Sequence, residues 1–530
     1  MNSGISVILI GLDDHFSLNW WIQMVSITVY DGANGIGGNK IYVEEMGRGV
    51  FLDFGRNFGK YGLYYEEFLK NRDIRGVHDL IHLDLVPRLN IYRPDLAPAD
   101  VDMSRYPKLP VEAVLLSHAH VDHSGNIGLL DMDIPIVASP FSIAPLKGMQ
   151  DSGISSVDSD VAYCSPRLRS QGGFLLNSDR RAPHQGRDFF CTTTSGEGLL
   201  KLLSRRPGQE GRNAKGYEPG ECQLLDAISF PFSVEACDVD HSIFGAVGYI
   251  LKGETTIAYT GDFRLHGKQG DRTRDFFRHA RDASVLIIKG TRASRDTGPE
   301  GEPQDQAASS EKTVHDTCLA VVREAKGVVI ADFSPRNFER FETFLGIAQK
   351  TGRKLIVMAK DVYLLHALEC ADGICRYHPV GIYRELTDSS RRKWESEVVG
   401  TVAGEQYVSH TEIRNNPDQY ILCFSFFDMN HLLDIKPPAG ATYLYSSCEA
   451  FNEEMEIDFV RLGHWLDRFG LTPYGFSINE QGRPVFDPQY HASGHASRED
   501  LVWAIDQVDP EVIIPVHTMR REWFEENFGG

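Results

Sequence analysis

Short apolar segments recur along the chain, and each ends at a polar residue. Examples are Val111–Leu116, Thr255–Tyr259 and Val285–Ile288. Apolar runs of about 4–8 residues with polar boundaries are typical of buried strands. Helical patterns separate these segments, and such alternation is typical of a layered α/β fold. The pattern therefore predicts an α/β protein with polar residues at its strand ends.

The N-terminal part predicts three further strands, at residues 23–30, 40–44 and 49–53. A glycine-rich segment, Gly32–Asn39, joins the first two. It does not have the G-x-G-x-x-G spacing that opens a helix in dinucleotide-binding proteins. We therefore interpret it as a turn.

The second half of the chain predicts a separate α/β unit. Strands at Gly327–Ala331 and Lys354–Met358 flank a helix at Asn337–Lys350, which is a βαβ pattern. The unit extends to about residue 445. Residues 292–312 have few apolar side chains and predict a linker or mobile loop.

Residues 166–222 interrupt the α/β rhythm because they are rich in Gly, Ser and Arg. Two interpretations remain open for this segment. It is either a solvated insertion or a basic flap that touches phosphates.

Composition narrows the class of protein. With 530 residues the chain is long enough for two or three domains. There is no apolar run of about 18 residues, so we expect no membrane span. No basic segment precedes the apolar patch Ile5–Ile10, which argues against a signal peptide. The nine scattered cysteines fit a reducing compartment, so we expect a cytoplasmic protein. The net charge of −20 argues against a surface that coats nucleic acid everywhere, but not against a local basic groove.

The densest chemistry lies in Ser117–Gly125, where three histidines and an aspartate occupy six residues after a strand. Histidine is the commonest metal ligand, and His118 and His120 have the spacing to bind one ion together. Asp122 and His123 follow on the turn, where they could face a second ion. His241, Asp262 and His517 stand at other strand ends and are candidates for the missing ligands.

The His118–His123 sequence matches the H-x-H-x-D-H signature, and the chain resembles the metallo-β-lactamase superfamily. His491–Ser497, followed by His517, further resembles the β-CASP nucleases of the RNase J type. The resemblance begins near residue 24 and leaves out residues 1–22 and 166–222. It implies an αββα metallo-β-lactamase sandwich with an inserted α/β β-CASP domain. The implied division is an extension at 1–22, a first sandwich part at 23–292, a β-CASP domain at 293–445, and a second sandwich part at 446–530.

The same resemblance implies two zinc ions per chain, although the donor set also suits manganese. His118, His120 and His241 would hold the first ion. Asp122, His123 and His517 would hold the second, and Asp262 would bridge the two. Asp53 would support the histidine turn from behind.

The implied reaction is hydrolysis of a phosphodiester by a metal-activated hydroxide. Asp122, His495 and Lys289 are the candidate catalytic residues, and His495 would assist the departing oxygen. Neighbouring phosphates would be held by a set of polar side chains. They are Ser493, Ser497, Ser334, Asn337 and Arg340.

Two positions depart from the family pattern. Lys289 stands where the family places an Asp or Glu that orients the histidine equivalent to His495, and Met519 replaces an acidic residue after His517. We hypothesise that Lys289 lowers turnover while metal binding survives. Replacing Lys289 with Glu should then raise turnover. Met519 would weaken the support of His517.

The expected function is hydrolysis of single-stranded RNA, either from an end or internally. A DNA-processing nuclease of the Artemis class and a catalytically weakened RNA-binding scaffold remain alternatives, the latter because of Lys289. A small-molecule thioesterase of the glyoxalase type would need neither the second unit nor the Ser-Gly-His loop. The resemblance also suggests a homodimer, and no membrane partner is expected.

Overall fold

The computed structural model describes residues 5–10, 24–66, 68–209, 214–293, 310–334, 336–386, 392–447 and 453–529. The strands in chain order are β1 (Ile5–Ile10), β2 (Met24–Asp31), β3 (Lys40–Glu45), β4 (Arg48–Leu52), β5 (Val111–Leu115), β6 (Ile136–Ala138), β7 (Tyr163–Cys164), β8 (Arg167–Ser170), β9 (Leu175–Ser178), β10 (His184–Gly186), β11 (Phe189–Cys191), β12 (Tyr217–Glu218), β13 (Cys222–Leu224), β14 (Ser233–Asp238), β15 (Val247–Lys252), β16 (Thr256–Tyr259), β17 (Val285–Lys289), β18 (Val329–Asp332), β19 (Lys354–Val357), β20 (Gly381–Tyr383), β21 (Tyr407–Val408), β22 (Tyr420–Cys423), β23 (Thr442–Tyr445), β24 (Thr472–Tyr474), β25 (Phe476–Ile478), β26 (Pro484–Phe486) and β27 (Val512–Val516).

The α-helices are α1 (Phe58–Gly62), α2 (His78–His82), α3 (Val121–Ser124), α4 (Pro140–Ser152), α5 (Glu197–Leu203), α6 (Gly270–His279), α7 (Glu311–Glu324), α8 (Phe338–Thr351), α9 (Ala359–Asp372), α10 (Gly400–Ala403), α11 (His410–Asn415), α12 (Leu432–Ile435), α13 (Glu453–Phe469), α14 (Arg498–Val508) and α15 (Glu522–Phe528). Within the described residues, no helix is both long and apolar enough to cross a membrane.

Two sheets form a sandwich. One has the order β1-β2-β3-β4-β5-β6-β11-β13 and the other β14-β15-β16-β17-β27. Side chains alternate across a strand, so Ala113 and Leu115 of β5 face the core between the sheets, while Val114 faces the outer core. Helices α2 and α4 cover the outer face of the first sheet, and α6, α14 and α15 cover that of the second. The predicted αββα sandwich is confirmed.

A second α/β unit is built on a seven-stranded sheet of order β21-β20-β19-β22-β18-β23-β24, whose paired strands are all parallel. The predicted βαβ unit is present as β18, α8 and β19, with β22 between the two strands. This sheet continues past the predicted boundary at residue 445. Strand β24 pairs with β23, and Phe459, Leu462 and Leu466 of α13 pack into the core on one face of the sheet. The boundary at 445 is therefore too early for this sheet.

Two other segments differ from the predicted division. Residues 5–10, assigned to an extension, form β1 and pair antiparallel with β2. Within 166–222, β11 and β13 extend the first sheet beyond β6 by parallel pairing. Arg187, counted among the basic residues of a flap, is buried and donates to main-chain carbonyls, including those of Asp131 and Ile134. This part of the segment is structural because it completes a sheet. Most of the predicted linker, residues 294–309, lies outside the described residues.

Candidate metal centre

The predicted ligands meet at one edge of the sandwich. Strands β4 and β5 are parallel, as are β16, β17 and β27, so their carboxyl ends lie together in each sheet. The residues that directly follow these strand ends include the predicted ligands. They are Asp53 after β4, His118–His123 after β5, Asp262 after β16 and His517 after β27. His241 lies in the turn between β14 and β15. The carboxyl ends of parallel strands are a common place for binding sites.

Asp53 holds the histidine turn in place from behind. Its φ of 58° lies in the left-handed region, and its side chain is fully buried. One carboxylate oxygen accepts from the backbone N–H of Ser117 at 2.7 Å. The other accepts from Nδ1 of His123 at 2.6 Å and from the hydroxyl of Tyr259 at 2.5 Å. Because Nδ1 of His123 is used as a donor, its Nε2 is left as the ligand atom.

His118, His120 and His241 form the first cluster. Nδ1 of His120 lies 3.1 Å from Nε2 of His118 and 3.2 Å from Nε2 of His241. Nδ1 of His241 donates to the carbonyl of Gly494 at 2.5 Å, which leaves its Nε2 free to bind an ion. Three imidazole nitrogens therefore converge on one point, as they do around a bound zinc.

Asp122, His123 and His517 form the second cluster. Oδ2 of Asp122 lies 3.1 Å from Nε2 of His517 and 3.8 Å from Nε2 of His123. Nδ1 of His517 lies 2.8 Å from the hydroxyl of Thr291, so this ring also offers its Nε2 to the centre. The second cluster thus presents two nitrogens and one carboxylate oxygen.

Asp262 lies between the two clusters. Its Oδ1 is 3.4 Å from Nε2 of His123, and its Oδ2 is 3.9 Å from Nε2 of His241. Each oxygen therefore faces a different cluster, which is the arrangement a bridging carboxylate needs.

Two buried atoms of the centre have no hydrogen-bond partner, Nε2 of His123 and Oδ1 of Asp262. A buried polar atom without a partner is costly. A cation between these atoms would satisfy both. The mixture of imidazole nitrogen and carboxylate oxygen suits zinc and related divalent ions. The residues present therefore fit a bound metal.

Electrostatics within the centre are strongly coupled. Burial alone would raise the pKa of Asp262, but Lys289, His517 and His123 hold it well below its usual value. Burial opposes protonation of His123, yet the carboxylates of Asp262, Asp53 and Asp122 raise the pKa of His123 well above its usual value. Without metal, protons on histidine thus offset part of the negative charge. Metal binding requires those protons to leave.

Lys289 enters the centre because of strand alternation. In β17, Val285 and Ile287 face the core between the sheets, and Lys289 is next in that alternating series. Its side chain is 1% exposed. Its Nζ lies 3.1 Å from Oδ2 of Asp262 and contacts Nδ1 of His495. A lysine therefore occupies the place where the family pattern has a carboxylate.

His495 is held as a neutral imidazole. Its Nδ1 lies 3.3 Å from Oδ2 of Asp262 and faces the ammonium of Lys289. Burial, followed by Lys289, lowers the pKa of His495 to about 3. A lysine ammonium only donates, so its contact with Nδ1 favours the tautomer in which Nδ1 accepts and the ring hydrogen lies on Nε2. That Nε2–H remains available as a donor.

The two serines of the Ser-Gly-His loop have local structural roles. The hydroxyl of Ser493 accepts from the backbone N–H of His495 at 3.1 Å. Its carbonyl accepts from His266 at 2.9 Å and from Arg264 at 3.3 Å. Ser497 caps α14, and its hydroxyl accepts from the N–H of Asp500 at 3.1 Å. These contacts fix the loop that carries His495.

Arg340 is not placed to bind a phosphate, contrary to the expectation. Its side chain is 1% exposed, and its guanidinium pairs with Glu311 at 3.0 Å and with Ser446. Asn337 caps α8, where its side chain accepts from the N–H of Arg340 at 3.0 Å. Ser334 is partly exposed. Arg340 of α8 therefore forms an ion pair with Glu311 of α7, and this pair connects the two helices.

Arg336, which the sequence analysis did not single out, is a better placed cation. Among the described residues it forms no ion pair, and its guanidinium approaches the sulfur of Met149 at 3.9 Å. Burial lowers the pKa of Arg336, and Asp122 opposes that shift. After burial, Arg336 also helps to lower the pKa of His120 to about 4. Its field therefore reaches the metal centre.

The glycine-rich segment Gly32–Asn39 packs directly against the histidine turn. The N–H of Gly38 donates to the carbonyl of Asp122 at 2.8 Å. A Cβ at Gly37 would lie 2.6 Å from Cβ of Asp122, and Gly37 has a φ of 80°. Glycine lets this turn approach the histidine turn closely. Sequence spacing alone did not indicate this contact.

Met519 does not disturb His517. It is 63% exposed, and Thr291, also missed from sequence, contacts Nδ1 of His517 instead. A hydroxyl from the turn after β17 therefore contacts the ring of His517.

Comparison with known proteins fits this geometry. Residues 489–526 match a family described as the Zn-dependent metallo-hydrolase RNA specificity domain. The chain is 21% identical to Ribonuclease J of Pyrococcus abyssi over 94% of this chain and 90% of that protein. It is 22% identical to Ribonuclease J of Sinorhizobium meliloti, over 80% of this chain and 60% of that protein. For Ribonuclease J of Thermus thermophilus the identity is 22%, over 79% and 60% respectively. The chain thus covers about three fifths of the length of the latter two relatives.

A solved structure shares the fold. It is a protein of unknown function from Enterococcus faecalis V583, with a TM-score of 0.64 and 22% identity over 95% of this chain and 96% of that one. The sandwich, the added α/β unit and the histidine turn are together similar to the metallo-β-lactamase fold with an inserted β-CASP unit. Through residues 489–526 and through these relatives, the chain is similar to the RNase J-like β-CASP proteins.

Proposed function

We propose that this protein is a zinc-dependent ribonuclease that hydrolyses phosphodiester bonds of single-stranded RNA. The observation that carries the proposal is the position of His495. It lies beside Asp262, between two clusters of metal-ligating atoms, and within the segment that matches an RNA specificity domain. The similar proteins named Ribonuclease J support RNA as the substrate.

The proposed cofactor is zinc, two ions per chain, although manganese would suit the same donors. His118, His120 and His241 would hold one ion, Asp122, His123 and His517 the other, and Asp262 would bridge them. When bound, the ions would supply an activated water at neutral pH and offset the charge of the phosphodiester.

The chain's own residues would orient the substrate and handle the proton at the leaving oxygen. Nε2–H of His495 is the candidate donor to that oxygen, because Nδ1 is occupied by Lys289. Asp53 would keep Nε2 of His123 directed at the centre. Arg336 would contact a phosphate of the bound RNA, since its guanidinium has no ion-pair partner among the described residues.

A catalytically weakened RNA-binding relative is a second candidate, and Lys289 is the observation that favours it. With the usual carboxylate, a histidine at position 495 could become a charged acid. With Lys289 beside it, His495 stays neutral and donates only a weaker hydrogen bond. The convergence of seven ligand side chains favours an active enzyme instead.

Metal analysis combined with RNA cleavage tests the proposal. Purified protein would be stripped by chelation, reloaded with zinc, and given RNAs with either a 5′-monophosphate or a 5′-hydroxyl. We expect bound zinc and zinc-dependent cleavage. Dependence on the 5′ group would indicate attack from that end. DNA of the same sequence is the control, and faster DNA cleavage would favour the DNA-processing alternative. Zinc fully bound without cleavage would favour the weakened relative, and absent zinc would refute both enzymatic readings. Whether the protein forms a homodimer stays a prediction for solution measurement.

A further inference from the structure

Lys289 is a buried cation placed at a site expected to hold further cations. Its Nζ contacts two groups of the centre, Oδ2 of Asp262 and Nδ1 of His495. Like charges at such short separations repel strongly when both are buried. A lysine ammonium and a divalent ion therefore compete for the same carboxylate oxygen.

The competition is one-sided because the two oxygens of Asp262 face different clusters. Oδ1 faces Nε2 of His123, in the second cluster, at 3.4 Å. Oδ2 faces His241 of the first cluster at 3.9 Å, and this is the oxygen that Lys289 contacts at 3.1 Å. The first cluster therefore loses the share of Asp262 that it would need for a bridged ion.

We infer that Lys289 makes the two metal sites unequal, so that the second cluster binds zinc tightly and the first cluster binds it weakly. This inference rests on the proposed function, because it presupposes the two-ion centre. Lys289 then acts as a built-in counter-charge for Asp262 when the first cluster is empty. It sets how much zinc must be present before both sites fill.

The test is zinc stoichiometry and affinity, measured by titrating chelator-stripped protein and by elemental analysis after dialysis. Lys289→Gln removes the charge but keeps a polar side chain, and Lys289→Arg keeps the charge. All proteins would carry Cys237→Ser, because Glu235, Cys237 and His279 form a separate group that could take zinc and confuse the count.

We expect the Lys289-containing protein to bind one zinc tightly and a second at least about tenfold more weakly. Lys289→Gln should tighten the weaker site at least about tenfold, and Lys289→Arg should leave it weak. Lys147→Gln is the matched control, because Lys147 is also a buried lysine paired with an aspartate, Asp151. It should leave zinc binding unchanged.

Two equal sites in the Lys289-containing protein would overturn the inference, as would an unchanged weaker site in Lys289→Gln. Either result would leave the proposed function intact. If no variant binds zinc, the proposed function itself fails. Should Lys289→Gln fail to fold without metal, the zinc isotherm of the Lys289-containing protein still tests the inference, because two equal sites would overturn it.

Discussion

Two buried groups of charged residues lie next to each other, and they differ in how their charges are satisfied. In the arginine network, formed by Arg264, Arg340, Asp240, Glu311 and Glu339, opposite charges pair directly. In the metal centre, ligand atoms converge on one another, and two of them have no partner.

The difference separates a structural cluster from a binding site. The paired charges of the network offset one another and join parts of the fold. Glu311 and Glu339 lie on α7 and α8, whereas Arg264 follows the bridging aspartate. Convergent lone pairs without donors need a cation from outside the protein. The network therefore stabilises the fold around the centre, whereas the converging ligand atoms of the centre suit a cation.

The largest effect is expected from breaking the centre itself. Asp262→Asn removes the charge that both clusters share, and RNA cleavage should fall by about 10²–10⁴-fold, because metal stabilisation of the reaction amounts to several kcal/mol. Single-turnover cleavage under saturating zinc measures this. The control is Asp151→Asn, since Asp151 is buried and has no hydrogen bond to any of the seven ligand side chains. Equal activity of Asp262→Asn and the unmodified protein would contradict a catalytic centre.

The next largest effect should be a loss of folding stability when the arginine network is broken. Glu311→Gln leaves Arg264 and Arg340 without a charged partner that both contact. Breaking a buried ion pair costs about 3–5 kcal/mol, so urea unfolding should shift to much lower concentration. Glu342→Gln is the control, because its pairing with Arg376 is partly exposed and contributes about 0–1 kcal/mol. Unchanged stability of Glu311→Gln would remove the contrast between the two groups.

A smaller effect, on metal affinity, is expected from changing Asp53, which supports a ligand of the centre. Asp53→Asn weakens the acceptor that fixes His123, and loss of such support lowers metal affinity by about 10–100-fold. Competition with a chelator of known affinity measures the change. If zinc affinity stays the same, Asp53 serves the fold rather than the ligand geometry.

The smallest effect concerns the phosphates. Arg336→Gln should weaken RNA binding severalfold and reduce its salt dependence by about one released ion, as loss of one phosphate contact does. Lys350→Gln, at the far end of α8, is the control and should leave both quantities unchanged. An equal loss for both variants would indicate diffuse attraction instead of a contact by Arg336.

The convergence of the candidate ligands could be predicted from the sequence because the signals for it are local. Histidines and aspartates at the ends of apolar strands meet when those strands share an edge, and His118, Asp262 and His517 follow that rule. Lys289 was also evident, since it follows an unbroken apolar strand. These features depend on neighbours within a few residues.

Other features depend on partners distant in sequence and could not be predicted. Arg336 and Arg340 are four residues apart, but only Arg340 meets Glu311, and that contact decides which guanidinium has an ion-pair partner. The glycine turn contacts Asp122 through the folding of the first sheet. Strand β24 has only three residues, too few to give a periodic signal.

The most direct test of the account is the rate of RNA cleavage as zinc is added back to chelator-stripped protein. The convergent, unsatisfied ligand atoms predict no cleavage without metal and a rate that rises with zinc until the sites are filled. A zinc-filled protein that binds RNA but does not cleave it would contradict the central claim that this centre is built for hydrolysis.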